Sequence, residues 1–217
     1  MKKFLALLLT LTLASTLFCT TAFALTVTPV DMDKVKVETD ASDWAKAELI
    51  EAYKAGLMPT LSGNPKFTDS ITRLQFAELV VNMVEKALKQ EIQPLPSGRF
   101  TDCDDLAIRK AAAAGIVNGM SETTFVPNQT TNREQIATMV ARAIAYMEEA
   151  SGKDMTPSAG SIDKFDDKGQ VSSWAKDGVG LLAANGIMNG TSATKLSPKN
   201  PCTVEQSILL VLRVYNL

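Results

Sequence analysis

The sequence predicts an all-α fold made of three helix–loop–helix repeats, and three observations lead to this prediction. Three segments of the 217 residues align with one another: 42–90 (repeat 1), 100–150 (repeat 2) and 163–217 (repeat 3). Each has an Ala-rich stretch that ends at a glycine, and then a second stretch whose apolar residues recur at helical spacing. Because one helix pair cannot bury its apolar face alone, the three pairs should share a core, most simply around a pseudo-threefold axis.

Residues 1–24 have the composition of a secretory signal peptide. Lys2 and Lys3 give a positive start, residues 4–18 are almost uninterruptedly apolar, and residues 22–24 read Ala-Phe-Ala, the form of a cleavage site. The apolar run is too short for a comfortable membrane span. We therefore expect export with cleavage after residue 24, and no membrane span in the mature chain.

Residues 25–41 form a lead-in whose residues partly alternate, which allows either a short strand or an extended segment. Linkers rich in Pro, Gly and Ser follow repeat 1 at 91–99 and repeat 2 at 151–164. The chain is therefore expected to be organised as a signal peptide, a lead-in and three repeats.

The first helix of repeats 1 and 3 is expected to begin beside a serine. Ser42 and Ser173 are plausible N-caps, and each is followed closely by a tryptophan. In repeat 2 the first helix, expected near 105–114, should be about one turn shorter and has no tryptophan. A glycine stands where positive φ commonly ends a helix in all three repeats: Gly56, Gly115 and Gly186.

The second helix opens in the same way in each repeat, with a capping side chain and a glutamine three residues later. The pairs are Thr72 with Gln75, Asn132 with Gln135, and Thr203 with Gln206. Apolar residues then recur at helical spacing, and in repeat 3 residues 208–212 are apolar nearly all round. We interpret these stripes as core.

Composition excludes several classes of function. The chain has no His, so it cannot hold a Ser-His-Asp triad, a Cys-His nucleophile or an HExxH zinc site. Its formal net charge of −2 argues against a nucleic-acid partner, and no glycine-rich phosphate-binding motif is present. Neither a cofactor nor a metal is expected. What remains is carboxylate chemistry, or a protein that binds rather than reacts.

Two acidic pairs, Asp104-Asp105 and Asp166-Asp167, could suggest a glycosidase or a calcium site. Both precede a first helix, where acids cap the backbone and interact favourably with the helix dipole. The second pair lacks the alternating oxygen ligands of an EF-hand loop, and no motif places two carboxylates across a cleft. We interpret these acids as structural and expect no enzyme.

Signal cleavage would leave two cysteines, Cys103 and Cys202, and a formal net charge of −4. In an exported protein the two could form a disulfide, or they could remain small buried thiols. A lipoprotein signal ending at Cys19 is disfavoured, because residues 16–18 do not supply the small residue expected before a lipidated cysteine.

Arg73 and Arg133 occupy the first position of the second helix in repeats 1 and 2. A cation there faces the positive end of the helix dipole, at a cost of about 0.3–1 kcal/mol, and a bound anion would reverse that sign. Free N–H groups at the helix start and a fixed guanidinium would together form a carboxylate or phosphate site. The alternative is an exposed arginine paired with an acid such as Asp69. Repeat 3 has Val204 at this position.

Trp44 and Trp174, the two tryptophans of the chain, share one position in repeats 1 and 3. They could stack on a sugar ring, or they could be packing anchors where the first helix meets its neighbour.

Short motifs recur in a fixed order along the repeats. They are Phe-Thr-Asp at 100–102 and Phe-Asp-Asp at 165–167; Trp-Ala at 44–45 and 174–175; Gly-Ile-Val-Asn-Gly at 115–119 and Gly-Ile-Met-Asn-Gly at 186–190; Phe-Val-Pro at 125–127; and Ile-Thr-Arg-Leu-Gln at 71–75 with its counterparts at 131–135 and 202–206. In this order the chain after about residue 41 resembles the S-layer homology (SLH) domain family.

This resemblance implies a three-repeat unit whose second helices form a central three-helix bundle. It implies a secreted protein of the bacterial cell wall or S-layer that binds a secondary cell-wall polysaccharide, often anionic and pyruvylated, in grooves between repeats. Arg73 and Arg133 would meet the anionic sugar. The other glycan-binding residues carried over are Trp44, Trp174, Asn118, Gly119, Asn189 and Gly190.

The chain also departs from the family pattern. Val204 replaces the third arginine, residues 57–59 replace the turn in repeat 1, and repeat 2 lacks its tryptophan. At least one groove should therefore be degenerate. These departures leave open a second function, a protein-interaction or assembly module of the cell surface whose glycan grooves are vestigial and whose partner is another surface protein.

Overall fold

A computed structural model of the chain describes residues 32–156, 158 and 160–217. Its seven α-helices are Met32–Asp40 (α1), Lys46–Lys54 (α2), Arg73–Leu88 (α3), Leu106–Ala113 (α4), Arg133–Ser151 (α5), Lys176–Ala184 (α6) and Val204–Tyr215 (α7). Short 3₁₀ turns at Lys168–Gln170 and Ser173–Ala175 precede α6. The predicted all-α fold is confirmed.

The predicted signal peptide, residues 1–24, lies outside the described residues. Of the helices that the structure describes, none combines the length and the apolar character needed to cross a membrane.

The lead-in is a helix where a strand or an extended segment was expected, so that prediction was wrong for Met32–Asp40. In α1, Val37 is fully buried, and the Lys36 ammonium donates to Asn64 Oδ1 at 2.8 Å and to the Pro65 carbonyl at 3.1 Å. A strand here would have needed a partner, and the described part of the chain contains no sheet. A helix satisfies its backbone groups internally, which explains the outcome.

The second helices, α3, α5 and α7, contact one another and form the centre of the molecule. All three begin with the predicted capping box, in which the cap side chain accepts from the backbone N–H of the glutamine and that glutamine accepts from the cap N–H. Their buried faces supply much of one continuous core, including Leu79, Ile136 and Val211, each with no exposed surface.

A closed ring of three backbone hydrogen bonds joins the repeats just before these helices. The Ile71 N–H donates to the Cys202 carbonyl at 2.9 Å, the Cys202 N–H to the Thr131 carbonyl at 3.0 Å, and the Thr131 N–H to the Ile71 carbonyl at 3.0 Å. Each repeat thus donates to one neighbour and accepts from the other. This ring gives the arrangement its pseudo-threefold character.

The first helices end as predicted, because the glycine after each has a φ near +70°. Their beginnings differ from the prediction: Ala45 and Ala175 are the N-cap residues of α2 and α6, and neither forms a side-chain cap. Helix α4 was expected to be about one turn shorter than its counterparts, but it is only one residue shorter. Asp105 caps it by accepting from the Ala107 and Ile108 N–H groups, as expected for the acidic pair.

We expect Leu79→Ala in α3 to lower the free energy of unfolding by about 2–5 kcal/mol, because it removes a fully buried side chain from the shared core. Leu106→Ala is a matched control, since Leu106 is 54% exposed, and it should change stability by about 0.5 kcal/mol or less. Urea unfolding followed by circular dichroism measures both. Equal losses in the two variants would contradict the shared core.

Both described cysteines are free thiols, so the structure favours the buried-thiol alternative over a disulfide. Cys202 is fully buried, and burial raises the pKa of its thiol, which lowers the thiolate fraction at any given pH. Cys103 is half-buried.

We expect an alkylating reagent at pH 8 to modify Cys103 well before Cys202 in the native protein, and both rapidly in denaturant, as read by peptide mass spectrometry. Recovery of a Cys103–Cys202 disulfide peptide from the exported protein would contradict this.

Candidate functional site

Arg133, at the first position of α5, is buried against the loop of repeat 3. Its Nε donates to the Leu196 carbonyl at 2.9 Å, and its Nη2 donates to the Asn189 carbonyl at 2.6 Å. The residue is only 6% exposed. Burial lowers the pKa of the guanidinium, but an arginine starts so high that it stays charged at neutral pH.

Arg73 repeats this arrangement at the start of α3, against the loop of repeat 2. Its Nε donates to the Phe125 carbonyl at 2.9 Å and its Nη2 to the Asn118 carbonyl at 2.7 Å. The guanidinium carbon also lies 4.4 Å from the centre of the Phe125 ring. The recurrence shows that both arginines are built into the repeat interface, so the exposed alternative, an arginine paired with Asp69, was wrong.

Only part of each guanidinium is used by the protein. Arginine has five N–H donors, and among the described residues Arg133 makes two hydrogen bonds, leaving Nη1 without a protein acceptor. No fully buried side-chain nitrogen or oxygen in the described part of the chain lacks a partner. The Nη1 group therefore reaches solvent, where it can bind an anion.

The backbone N–H groups at the helix starts already have hydrogen-bond partners, which corrects one sequence-based expectation. The N–H groups of Arg133 and Glu134 donate to the Asn200 and Pro198 carbonyls at 3.0 and 3.1 Å. The N–H groups at the start of α3 bond the carbonyls of Gln129 and Pro127 in the same way. Loops of the neighbouring repeat thus occupy the donors that were expected to hold an anion. An anion at these places must bind the guanidinium edge.

The glycines of the two turns are required by close packing. A Cβ on Gly190 would lie 2.6 Å from the Lys195 carbonyl oxygen, and a Cβ on Gly119 would lie 2.7 Å from that of Thr124. Both turns are also held by an aspartate of the aromatic-x-Asp motif. Asp167 accepts from the Leu196 and Ser197 N–H groups, and Asp102 accepts from Phe125 and Val126.

These aspartates were not identified as site residues from the sequence, although their recurrence three residues into each motif was a usable signal. The Phe125 and Val126 N–H groups hold the pKa of Asp102 below its ordinary value, so the carboxylate stays ionised at neutral pH. By fixing the loops, Asp102 and Asp167 fix the carbonyls that hold Arg73 and Arg133.

A cavity of about 440 Å³ brings together predicted site residues from all three repeats. We call it the Arg133 groove. Its lining residues are Trp44 from repeat 1, Arg133 from repeat 2, and Met188, Asn189, Gly190, Thr191, Gln206, Leu209, Leu210 and Arg213 from repeat 3. Trp44 is 58% exposed, so the indole stands at the rim and is not a buried packing anchor.

Arg213 is a second cation of this groove that the sequence did not single out. Its Nε and Nη2 donate to the two carboxylate oxygens of Glu48 at 2.9 and 2.8 Å, and its Nη1 donates to the Ile187 carbonyl at 3.1 Å. The fork-to-fork pair joins α7 to α2 and largely neutralises Arg213. The groove therefore presents the unused edge of Arg133 as its unpaired positive charge.

For the other predicted site residues, the structure shows only some of the features of the Arg133 groove. Arg73 contacts the Asn118 carbonyl, and Gly119 lies in the same turn, as in the Arg133 groove. Trp174 is 56% exposed in the 3₁₀ turn that contacts α5. Val204, which stands in repeat 3 where repeats 1 and 2 have the arginine, is buried. It lines a smaller cavity of about 170 Å³ with Lys36, Met58 and other mostly apolar residues. The residues lining that cavity include neither an arginine nor a tryptophan.

Comparison with known proteins agrees with these features. The family model of the S-layer homology domain matches residues 106–137 and 164–205, in repeats 2 and 3. An endoglucanase of Bacillus sp. (strain KSM-635) is 27% identical over 97% of this chain and 22% of its own length. The surface-layer 125 kDa protein of Lysinibacillus sphaericus is 28% identical over 75% of this chain and 13% of its own. Exoglucanase XynX of Acetivibrio thermocellus is 29% identical over 65% of this chain and 12% of its own.

The chain spans less than a quarter of each of these relatives, so the enzymes among them match it over a small part of their length. S-layer homology domains are cell-wall binding modules and are not themselves catalytic. By its ordered motifs and these matches, the chain is similar over repeats 2 and 3 to the S-layer homology domain family, and its relatives include a surface-layer protein and a cell surface glycoprotein of bacteria.

Proposed function

We propose that this chain anchors itself or a partner at the cell surface by binding, non-covalently, a secondary cell-wall polysaccharide that carries carboxylate groups such as pyruvate ketals. The Arg133 groove is the main binding site. The observation that carries the proposal is the meeting of an exposed indole, a partly unused guanidinium and a glycine turn in one cavity, although they come from three repeats.

Each part of the groove suits one part of a charged sugar. The exposed face of Trp44 can stack on the apolar face of a pyranose ring. The free edge of Arg133 can pair with a carboxylate, and it does so at a largely desolvated position where such a bond is stronger than in water. The cavity volume of about 440 Å³ falls in the usual range for sites that bind small molecules or single sugar units.

The global charge of the chain does not assist this binding. With a formal net charge of −2, or −4 after cleavage of residues 1–24, the protein has no long-range attraction for an anionic polymer. Recognition must therefore come from local arginines held in fixed positions. A pre-positioned guanidinium also loses little conformational entropy on binding, because its side chain is already ordered by two carbonyls.

The groove is suited to binding and not to glycoside cleavage. Hydrolysis of a glycosidic bond ordinarily needs a pair of carboxyl groups flanking that bond. The described residues that line the Arg133 groove include no Asp or Glu. A sugar held there would meet hydrogen-bond donors and an indole, and no general acid.

A second site at Arg73 would increase the strength of attachment. Arg73, Asn118 and Gly119 repeat the contacts seen around Arg133, and Trp174 repeats the exposed indole. Two sites on one chain that bind the same polymer raise the overall avidity, because the second binding event becomes intramolecular. The cavity at Val204 does not contribute a comparable site, since no arginine or tryptophan lines it.

We expect Trp44→Ala to weaken binding to isolated cell-wall sacculi by about tenfold, which corresponds to loss of one stacking contact. Because Trp44 is exposed, the variant should fold normally. Leu106→Ala, at a residue that is equally exposed and lies outside the groove, is the control and should bind as the unmodified chain does. Co-sedimentation with sacculi at increasing protein concentration gives the dissociation constants. Unchanged binding by Trp44→Ala would exclude the Arg133 groove as the site.

We also expect the chain to bind intact sacculi and to lose that binding when the secondary polymer is extracted with acid. Sacculi from cells unable to add pyruvate to the polymer should bind weakly, because the carboxylate that pairs with Arg133 is then missing. Equal binding to intact and extracted sacculi would favour an assembly module that recognises protein or peptidoglycan.

A further inference from the structure

Two buried carboxylates each hold the chain segment that carries an exposed tryptophan. We propose that Glu205 and Glu134 are positioning residues: Glu205 fixes Trp44 at the rim of the Arg133 groove, and Glu134 fixes Trp174 at the equivalent place in repeat 3. The proposal rests on the function proposed above, in which these indoles contact the sugar. It assigns the glutamates a role in binding without any contact with the ligand.

The contact at Trp44 crosses from repeat 3 to repeat 1. Glu205, at the second position of α7, is 3% exposed. One of its carboxylate oxygens accepts from the Ser42 N–H at 3.0 Å, and the other accepts from the Ser42 hydroxyl at 2.8 Å. Ser42 stands two residues before Trp44, so a charged group of one repeat binds the backbone that carries the indole of another.

The contact at Trp174 has the same form and crosses from repeat 2 to repeat 3. Glu134, 2% exposed at the second position of α5, accepts from the Ser172 N–H at 2.9 Å and from its hydroxyl at 3.0 Å. Ser172 stands two residues before Trp174. Lys199 also bonds the Glu134 carboxylate and the Ser172 hydroxyl, which gives this site a balancing positive charge.

In each case the tryptophan backbone is fixed from both sides. The residue after the indole, Ala45 or Ala175, has no exposed surface. Its N–H donates at 2.9 Å to the carbonyl of Ser42 or Ser172, which closes a four-residue turn with the tryptophan at the third position. The indole is more than half exposed and has little packing of its own, so its direction depends on this turn and on the carboxylate that holds the turn.

The third repeat interface supplies an internal comparison. At the start of α3 the residue equivalent to Glu134 and Glu205 is Leu74, which follows Arg73 directly. This helix start faces repeat 2, and repeat 2 has no tryptophan. Thus the two interfaces with the carboxylate have the indole, and the interface without the carboxylate lacks it. A glutamate needed only to join repeats would be expected at all three.

A third serine–glutamate contact among the described residues provides a control. Glu78 accepts from the Ser62 N–H at 2.9 Å and from the Ser62 hydroxyl, as Glu205 does from Ser42. Gly63 and Asn64 follow Ser62, so this contact holds no tryptophan. Replacing the Glu78 carboxylate changes the same kind of hydrogen bonds, but we expect it to leave the mobility of Trp44 unchanged.

The test compares Glu205→Gln with Glu78→Gln in a Trp174→Phe background. In that background Trp44 is the one remaining tryptophan, so tryptophan fluorescence reports on it alone. Gln keeps the size and shape but loses the charge: its carbonyl oxygen can still accept from the Ser42 N–H and its NH₂ can donate to the Ser42 hydroxyl, so both bonds become neutral and weaker. We expect faster depolarisation of Trp44 fluorescence in the folded protein and roughly fivefold weaker binding to sacculi, relative to the background chain, in line with two charge-assisted hydrogen bonds becoming neutral. Glu78→Gln should change neither quantity.

Ser42→Ala tests the same contact from the other side, and it removes the hydroxyl bond while the N–H bond remains. It should shift both measurements in the same direction by a smaller amount, and it keeps the test decisive if Glu205→Gln does not fold. Trp44 depolarisation that is unchanged in the folded variants would overturn the proposal, as would an equal change in Glu78→Gln. If Trp44→Ala leaves binding to sacculi intact, the proposed function fails, while the fluorescence measurement still decides whether Glu205 positions the indole.

Discussion

The structure depends on how the first backbone N–H groups of the three central helices are satisfied. An α-helix leaves these donors without internal partners, and burying them unpaired is costly. Here a loop of the next repeat supplies carbonyls to α3, α5 and α7 in turn, and the ring through Ile71, Thr131 and Cys202 closes the cycle. The repeats are therefore joined by main-chain bonds that each one needs from its neighbour, in addition to the apolar core.

The same loops explain why a cation can stand at the positive end of a helix. The loop that pairs the helix start also presents two carbonyls to the arginine side chain, at Asn189 and Leu196 for Arg133. The unfavourable interaction with the helix dipole, about 0.3–1 kcal/mol, is then opposed by two charge-assisted hydrogen bonds. The guanidinium is held rigidly, and its unused edge is what the groove offers to a ligand.

Local features of the sequence were sufficient to predict the helices, because capping boxes and helix-ending glycines act within four or five residues. The all-α class and the resemblance to the S-layer homology domain family followed from these and from the order of the motifs. Interactions between repeats could not be derived in this way. Sequence spacing does not say which loop meets which helix start, so the occupied N–H groups, the pair of Arg213 with Glu48 and the contacts of Glu134 and Glu205 became visible only in the structure. The helical lead-in was missed because alternation over so few residues does not separate a strand from a helix.

The closed ring has a consequence for the timing of assembly. The Arg133 groove takes its indole from Trp44, near the beginning of the described chain, and its floor from α7, which ends at Tyr215. A chain that folds from its beginning to its end therefore carries an unfinished groove until α7 has packed against α2. A chain shortened before α7 would keep Trp44 and Arg133 but would lack the floor of the Arg133 groove.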